Sequence, residues 1–87
     1  MVNQFILKEF GNRIRFLRNE KNLSQEELSF VTGFHRTYIG MIERGERNIS
    51  LTNILVFAKA FEITIDELMK FEDANNLYKQ YKLKTEE

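Results

Sequence analysis

The chain has no cysteine, no proline and no tryptophan, and only four glycines and one histidine in 87 residues. Without cysteine there are no disulfides, no thiolate nucleophile and no Cys-ligated zinc. The single histidine, His35, excludes a multi-histidine metal centre. A chain this small that folds without such staples fits a reducing, cytoplasmic setting. With no proline and few glycines, almost nothing interrupts a helix, and period-two alternation is scarce along the sequence, so the composition predicts an all-α fold. The longest apolar run, Ile54 to Ala58, is far short of the ~20 residues that cross a bilayer, and Met1 to Phe10 lacks the pattern of an export signal. Neither a membrane nor an export segment is expected. No glycine-rich phosphate loop, metal-ligand cluster or nucleophile–base pairing is present, which argues against an enzyme and against a cofactor. There is also no excess charge, with 13 basic against 13 acidic side chains.

What is present is apolar material and an uneven distribution of arginine. Hydrophobic residues make up 43% of the chain, eight of them Phe, enough for a packed interior. The length fits one small domain and leaves no room for a second core. All six arginines lie between Arg13 and Arg47. Residues 1–50 hold eight bases against six acids, and residues 51–87 five against seven. Arginine's planar fork of donors suits phosphates and guanine edges, so the first half is the half that could meet nucleic acid.

Periodicity predicts five helices. The first, from about Asn3 to Glu20, carries the stripe Ile6, Phe10, Ile14 and Leu17, and Lys21-Asn22-Leu23 ends it. Ser24 with Glu27 three residues on is a capping box that starts a second helix at Gln25, with Leu28 and Val31 inward. Gly33 supplies the left-handed conformation of a sharp turn. A third helix runs from about Arg36 to Arg44 with Ile39 and Ile42 inward, and Gly45 closes it. Ser50 caps a fourth, whose expected buried positions are Ile54, Leu55, Ala58 and Phe61. Thr64 with Glu67 starts a fifth at Ile65, continuing through Ala74, Leu77, Tyr78 and Tyr81. The core is expected over residues 5–71, with 72–87 a helical extension ending in a frayed tail.

Two helices joined by a three-residue turn containing Gly form a helix-turn-helix, whose second helix can enter a DNA major groove. With Ile39 and Ile42 inward, Arg36, Thr37, Gly40 and Met41 fall on or near the outer face, with Tyr38 to one side. That face carries almost no acid. Arg36 and Thr37 occupy the helix's first turn, where base edges are met; the expected base-reading set is Arg36, Thr37, Tyr38 and Met41, with Arg36 the leading candidate. Gln25, at a helix N-terminus, suits a phosphate. Ser24, His35, Arg44 and Arg47 complete the expected backbone-contacting set around it. Apolar residues from Ile49 to Met69 exceed the needs of one small core, and Ile49, Phe57, Phe61, Ile63, Ile65 and Met69 are the expected two-fold patch.

The segments Ser24-Gln25-Glu26-Glu27-Leu28, Thr32-Gly33 and Tyr38 to Gly45 resemble the lambda-repressor-like, or XRE-type, helix-turn-helix family over roughly residues 8–70. The run His35 to Ile39 followed by Glu43-Arg44-Gly45-Glu46-Arg47-Asn48 is most similar to the controller proteins of restriction-modification systems. The resemblance implies a compact lambda-repressor-like DNA-binding domain and a dimeric regulator of transcription. It also implies that Gln25 and Asn48 contact phosphates, that Arg36, Thr37 and Tyr38 face the groove, and that the fourth and fifth helices dimerise. The sequence departs from the family at Ile49, where Pro is common, and at Gly40, where Ser is frequent. Gly40 costs roughly 0.5 to 1 kcal/mol of helix propensity.

Each feature also has a plainer reading. A capping box marks a helix start and a Gly turn joins helices in many bundles. Glu43 reads first as a structural partner for Arg13, Arg15 or Arg18. Tyr78 and Tyr81 fit either a subunit contact or a half-buried terminal turn. Two functions remain in play: a dimeric DNA-binding transcription regulator, with double-stranded DNA, a second copy and RNA polymerase as partners, and an antitoxin-like or adaptor module that binds another protein through its acidic second half.

Overall fold

A computed structural model describes residues 4–86. The expected helix start at Asn3 and the last residue of the expected tail, Glu87, lie outside the described residues. Within them every regular element is helical: α1 Gln4–Glu20, α2 Gln25–Thr32, α3 Arg36–Glu43, α4 Leu51–Ala60, α5 Ile65–Leu68 and α6 Ala74–Gln80, followed by a 3-10 turn at Lys84–Glu86. The described count is therefore six helices where five were expected.

Local chemistry sets each boundary. After α1, Asn22 takes a left-handed conformation at φ 57°, which Asn tolerates better than most residues. Ser24 then closes both halves of a capping box with Glu27: the Glu27 amide donates to Ser24 Oγ at 3.0 Å and the Ser24 amide to Glu27 Oε1 at 2.9 Å. Gly33 ends α2 at φ 80°. Thr32 Oγ1 secures this turn by donating to the Leu28 carbonyl and accepting from the Phe34 amide. His35, Ser50 and Thr64 each cap the helix that follows through a side-chain acceptor.

The core is built from Phe10 and Ile14 of α1, Leu28 of α2, Ile39 and Ile42 of α3, Phe57, Ala58 and Phe61 from α4 and its C-cap, and Leu68 of α5. Phe57 touches three other rings: Phe10 edge-on at 6.3 Å, Phe34 at 5.2 Å and Phe61 stacked at 6.5 Å. α1 crosses α3 at Gly11, where a Cβ would fall 2.4 Å from the Ile42 carbonyl oxygen and 2.5 Å from that of Glu43. Only glycine allows that approach.

Several expectations need correction. Phe57 and Phe61, assigned to a two-fold patch, are closed inside the chain's own core. On α4 the buried face is Phe57 and Ala58 with Ile54 half-buried, and Leu55, expected inside, is exposed. Both phases fit helical periodicity because Ile54 to Ala58 is continuously apolar, and stacking among the phenylalanines selects the observed one. Leu7 takes the buried place expected of Ile6, and Val31 is exposed. The expected fifth helix breaks after Leu68. Arg13 Nη2 donates to the Glu67 carbonyl at 2.7 Å and its Nε to the Leu68 carbonyl at 3.2 Å, engaging the acceptors that a continuing helix needs four residues on.

Candidate nucleic-acid interface

α2, the Gly33 turn and α3 form a helix-turn-helix, and the segment Arg44 to Asn48 leads from it into α4. The first two residues of α3 stand clear of the core, whereas Tyr38 packs on it and Ile39 lies within it. Arg36 and Thr37 are exposed, and the Thr37 amide donates to His35 Nδ1 at 3.0 Å, so the only histidine is an N-cap. Gly40 is buried rather than outward, and Met41 is half-buried.

Tyr38 lies apart from Arg36 and Thr37. Its ring meets Phe34 edge-on at 5.1 Å, and its hydroxyl accepts from Asn53 Nδ2 at 3.0 Å, tying α3 to the first turn of α4. The Arg47 guanidinium carbon sits 5.7 Å from the centre of the same ring. Tyr38 thus positions an exposed arginine of the loop while its own ring is half-buried. Asn48 beside it is exposed.

Beneath α3 lies a buried carboxylate. Glu43 Oε2 accepts from Arg18 Nε at 2.6 Å, and its Oε1 accepts from Arg18 Nη2 at 3.0 Å, Gln25 Nε2 at 3.1 Å and Arg15 Nε at 3.5 Å. The Glu43 side chain is fully enclosed, and Arg18 also donates to the Leu23 carbonyl. Burial, the strongest single influence, pushes the Glu43 carboxyl up. The hydrogen bonds from Arg18 and Gln25, the Arg18 charge and Arg15 together outweigh it and hold the group below the usual carboxylate range. The same bond raises Arg18. Glu43 is structural, with Arg18 and Arg15 as its partners; Arg13 serves α5 instead. The cluster also fixes Gln25 against α3. The amides of Gln25 and Glu26 stay at the open end of α2, with no carbonyl a turn below them.

Arg44 follows Glu43 directly but faces outward. Its Nε donates to Glu46 Oε2 at 2.9 Å and its Nη2 to Glu46 Oε1 at 3.1 Å, a two-bond pair with both side chains about half exposed. This bond raises Arg44 and holds the Glu46 carboxyl below its ordinary value. Glu46 lies outside the expected contact set; an acid between two arginines in the loop is its signal in the sequence.

The expected two-fold patch is thinner than anticipated at its original positions. Ile49, Ile63 and Met69 are half-buried against the core, and Ile65 is exposed. Leu51, outside the expected patch, and Leu55, expected in the core, lie one turn apart on α4 and are 74% and 48% exposed.

A helix-turn-helix family model matches residues 14–68. The chain belongs to the helix-turn-helix family. Among its relatives is the control protein C.SmaI of Serratia marcescens, 43% identical over 76% of this chain and 79% of that protein. The restriction-modification controller protein C.AhdI of Aeromonas hydrophila is 53% identical, with a TM-score of 0.69 over 71% of this chain and 94% of its own. The restriction-modification controller protein C.Esp1396I, solved as a tetramer with its natural 35 base-pair operator, is 29% identical with a TM-score of 0.69 over 87% of this chain and 93% of its own. The family therefore includes the controllers that the motif run around Arg36 and Arg44 resembles.

Proposed function

We propose that this protein is a dimeric, sequence-specific DNA-binding regulator of transcription that controls a restriction-modification operon through an inverted-repeat operator. The observation that carries the reading is the exposed Arg36–Thr37 turn at the start of α3, set beside the open end of α2 and the Arg44–Arg47 loop. Together these offer a base-reading edge between two groups of phosphate donors. The operator complex of C.Esp1396I supports it. Arg36, Thr37 and Met41 read bases, and Tyr38 acts at the groove edge by holding Arg47. Ser24, Gln25, His35, Arg44, Arg47 and Asn48 contact the backbone. Residues 5–71 are the binding unit, and 72–87 its C-terminal extension, within which α6 packs against α1.

A single short helix reads few base pairs, and zero net charge adds little unspecific attraction, so two copies are needed for useful specificity. The dimer places two α3 helices about 34 to 36 Å apart. Leu51, Leu55 and Ile65 form its apolar centre, with Ile49, Ile63 and Met69 behind them. Such a regulator works in the cytoplasm without metal or cofactor, and RNA polymerase is the partner through which it changes transcription.

Gel shift with DNA from immediately upstream of its own gene tests the proposal. Specific retention is expected, and Arg36→Ala loses about 1 to 3 kcal/mol of specific affinity while the fold persists. Unchanged affinity at fixed salt removes Arg36 from the reading edge. Arg47→Ala is expected to weaken operator and random DNA alike. Sedimentation of the wild type and of Leu55→Asp tests the dimer: a wild type that is monomeric at micromolar concentrations, or a variant that stays fully dimeric, defeats that part.

A further inference from the structure

We propose that Glu46 is an internal stand-in for a DNA phosphate, a competitor that a duplex must displace before the Arg44 fork can hold it. The inference rests on the DNA-binding reading above and assigns an affinity-limiting role to an acid outside the expected contact set.

The geometry has three parts. Arg44 meets the Glu46 carboxylate through two parallel bonds at 2.9 and 3.1 Å, the arrangement in which a guanidinium also takes a phosphate. The pair stands in solvent rather than in the core, with side-chain exposures of 53% and 49%, so DNA can reach the arginine when the bonds open. The third part is Gly40. A Cβ there would lie 3.1 Å from Arg44 Nη1 and 3.6 Å from Gln25 Oε1. The missing side chain gives Arg44 room to lie across α3 beside Gln25, the other backbone-contacting residue.

A duplex must therefore exchange Glu46 for one of its own phosphates before Arg44 contributes. An operator that docks Arg36 and Thr37 holds a phosphate against Arg44 long enough for exchange to be favourable. Random DNA, without that docking, leaves Arg44 on Glu46. The acid therefore lowers operator affinity by up to the full strength of the pair, and random-duplex affinity by less, because a duplex that leaves Arg44 on Glu46 breaks nothing.

The test measures fluorescence anisotropy of two labelled duplexes, one from upstream of the gene and one of random sequence. It uses wild type, Glu46→Gln, Arg44→Ala and the double variant over a range of salt. Glu46→Gln is expected to bind the operator roughly two- to fivefold tighter, the range open to a surface ion pair. The random duplex should gain less, while its log–log salt slope should steepen by up to about 0.9, one more phosphate engaged. Both gains should vanish when Arg44 is Ala. A gain that persists without Arg44 is general charge repulsion and overturns the proposal. Equal gains on both duplexes, or none, overturn it while leaving DNA binding intact. A wild type that binds neither duplex at any salt defeats the DNA reading itself.

Discussion

Two carboxylates three residues apart, Glu43 and Glu46, each grip an arginine through two bonds, yet their surroundings divide the work. Glu43 is sealed under α3 and joins Arg18 and Arg15 of α1 to Gln25 of α2. Glu46 is half exposed and joins only its neighbour Arg44. A buried pair with no unsatisfied atom fixes three helices relative to one another, because opening it strands charge in the interior. A solvated pair can exchange partners, because water separates it at little cost and a phosphate offers the arginine the same two-bond geometry. Similar chemistry thus serves as a fastener at residue 43 and as an exchangeable contact at residue 46.

The largest expected effect comes from breaking the fastener. Glu43→Ala leaves Arg18 charged and nearly enclosed with no carboxylate, and should cost about 3 to 5 kcal/mol of stability in urea or thermal unfolding. A loss below 1 kcal/mol would place Glu43 on the level of a surface pair. The pH dependence has a definite sign. Glu43's folded pKa is depressed, so its stabilisation is fully present above the unfolded carboxylate value and is lost as pH falls through the folded one. Unfolding midpoints should therefore fall as the medium is acidified below the ordinary carboxylate range, with a smaller drop in Glu43→Gln.

Two glycines extend the comparison into the backbone. At Gly11 an added Cβ meets carbonyl oxygens of residues 42 and 43, which belong to the helix that Glu43 anchors and cannot rotate away. Gly11→Ala should destabilise by about 1 to 3 kcal/mol through overpacking. At Gly40 the nearest atom is the end of the Arg44 side chain, which can shift. Gly40→Ala should raise stability by roughly 0.5 to 1 kcal/mol through helix propensity while loosening Arg44's position. If both variants respond alike, rigid and movable neighbours do not differ as described.

Much of this was legible in the sequence, and the rest was hidden for identifiable reasons. Ser24 with Glu27, Gly33 and Gly45 announce their turns because capping and left-handed geometry are local. Arg36 and Thr37 were placed by the same local logic. Phe57 was misplaced because a continuous apolar run gives no phase, and only contacts with Phe10, Phe34 and Phe61, distant in sequence, decide it. At the break after Leu68 the open carbonyls are taken by Arg13, more than fifty residues away, a contact no local signal announces. The Arg44–Glu46 pair could have been suspected from spacing, but its relation to Gly40 and Gln25 exists only in three dimensions.

The smallest expected effect is the one that most sharpens the comparison. Glu46→Ala removes one half of a pair in which both partners keep substantial contact with water, so the Arg44 left behind is rehydrated rather than stranded. Its unfolding midpoint should match wild type within error, and the match should hold in high salt, where such pairs are screened in any case. Meanwhile Glu43→Ala should remain destabilised at every ionic strength, because a sealed pair is screened far less. A clear loss of stability in Glu46→Ala at low salt would mean that the loop pair helps hold the end of α3 in place. An unchanged midpoint combined with altered binding to random DNA would leave the carboxylate's effect in the bound state, where the arginine it holds has another acceptor to choose.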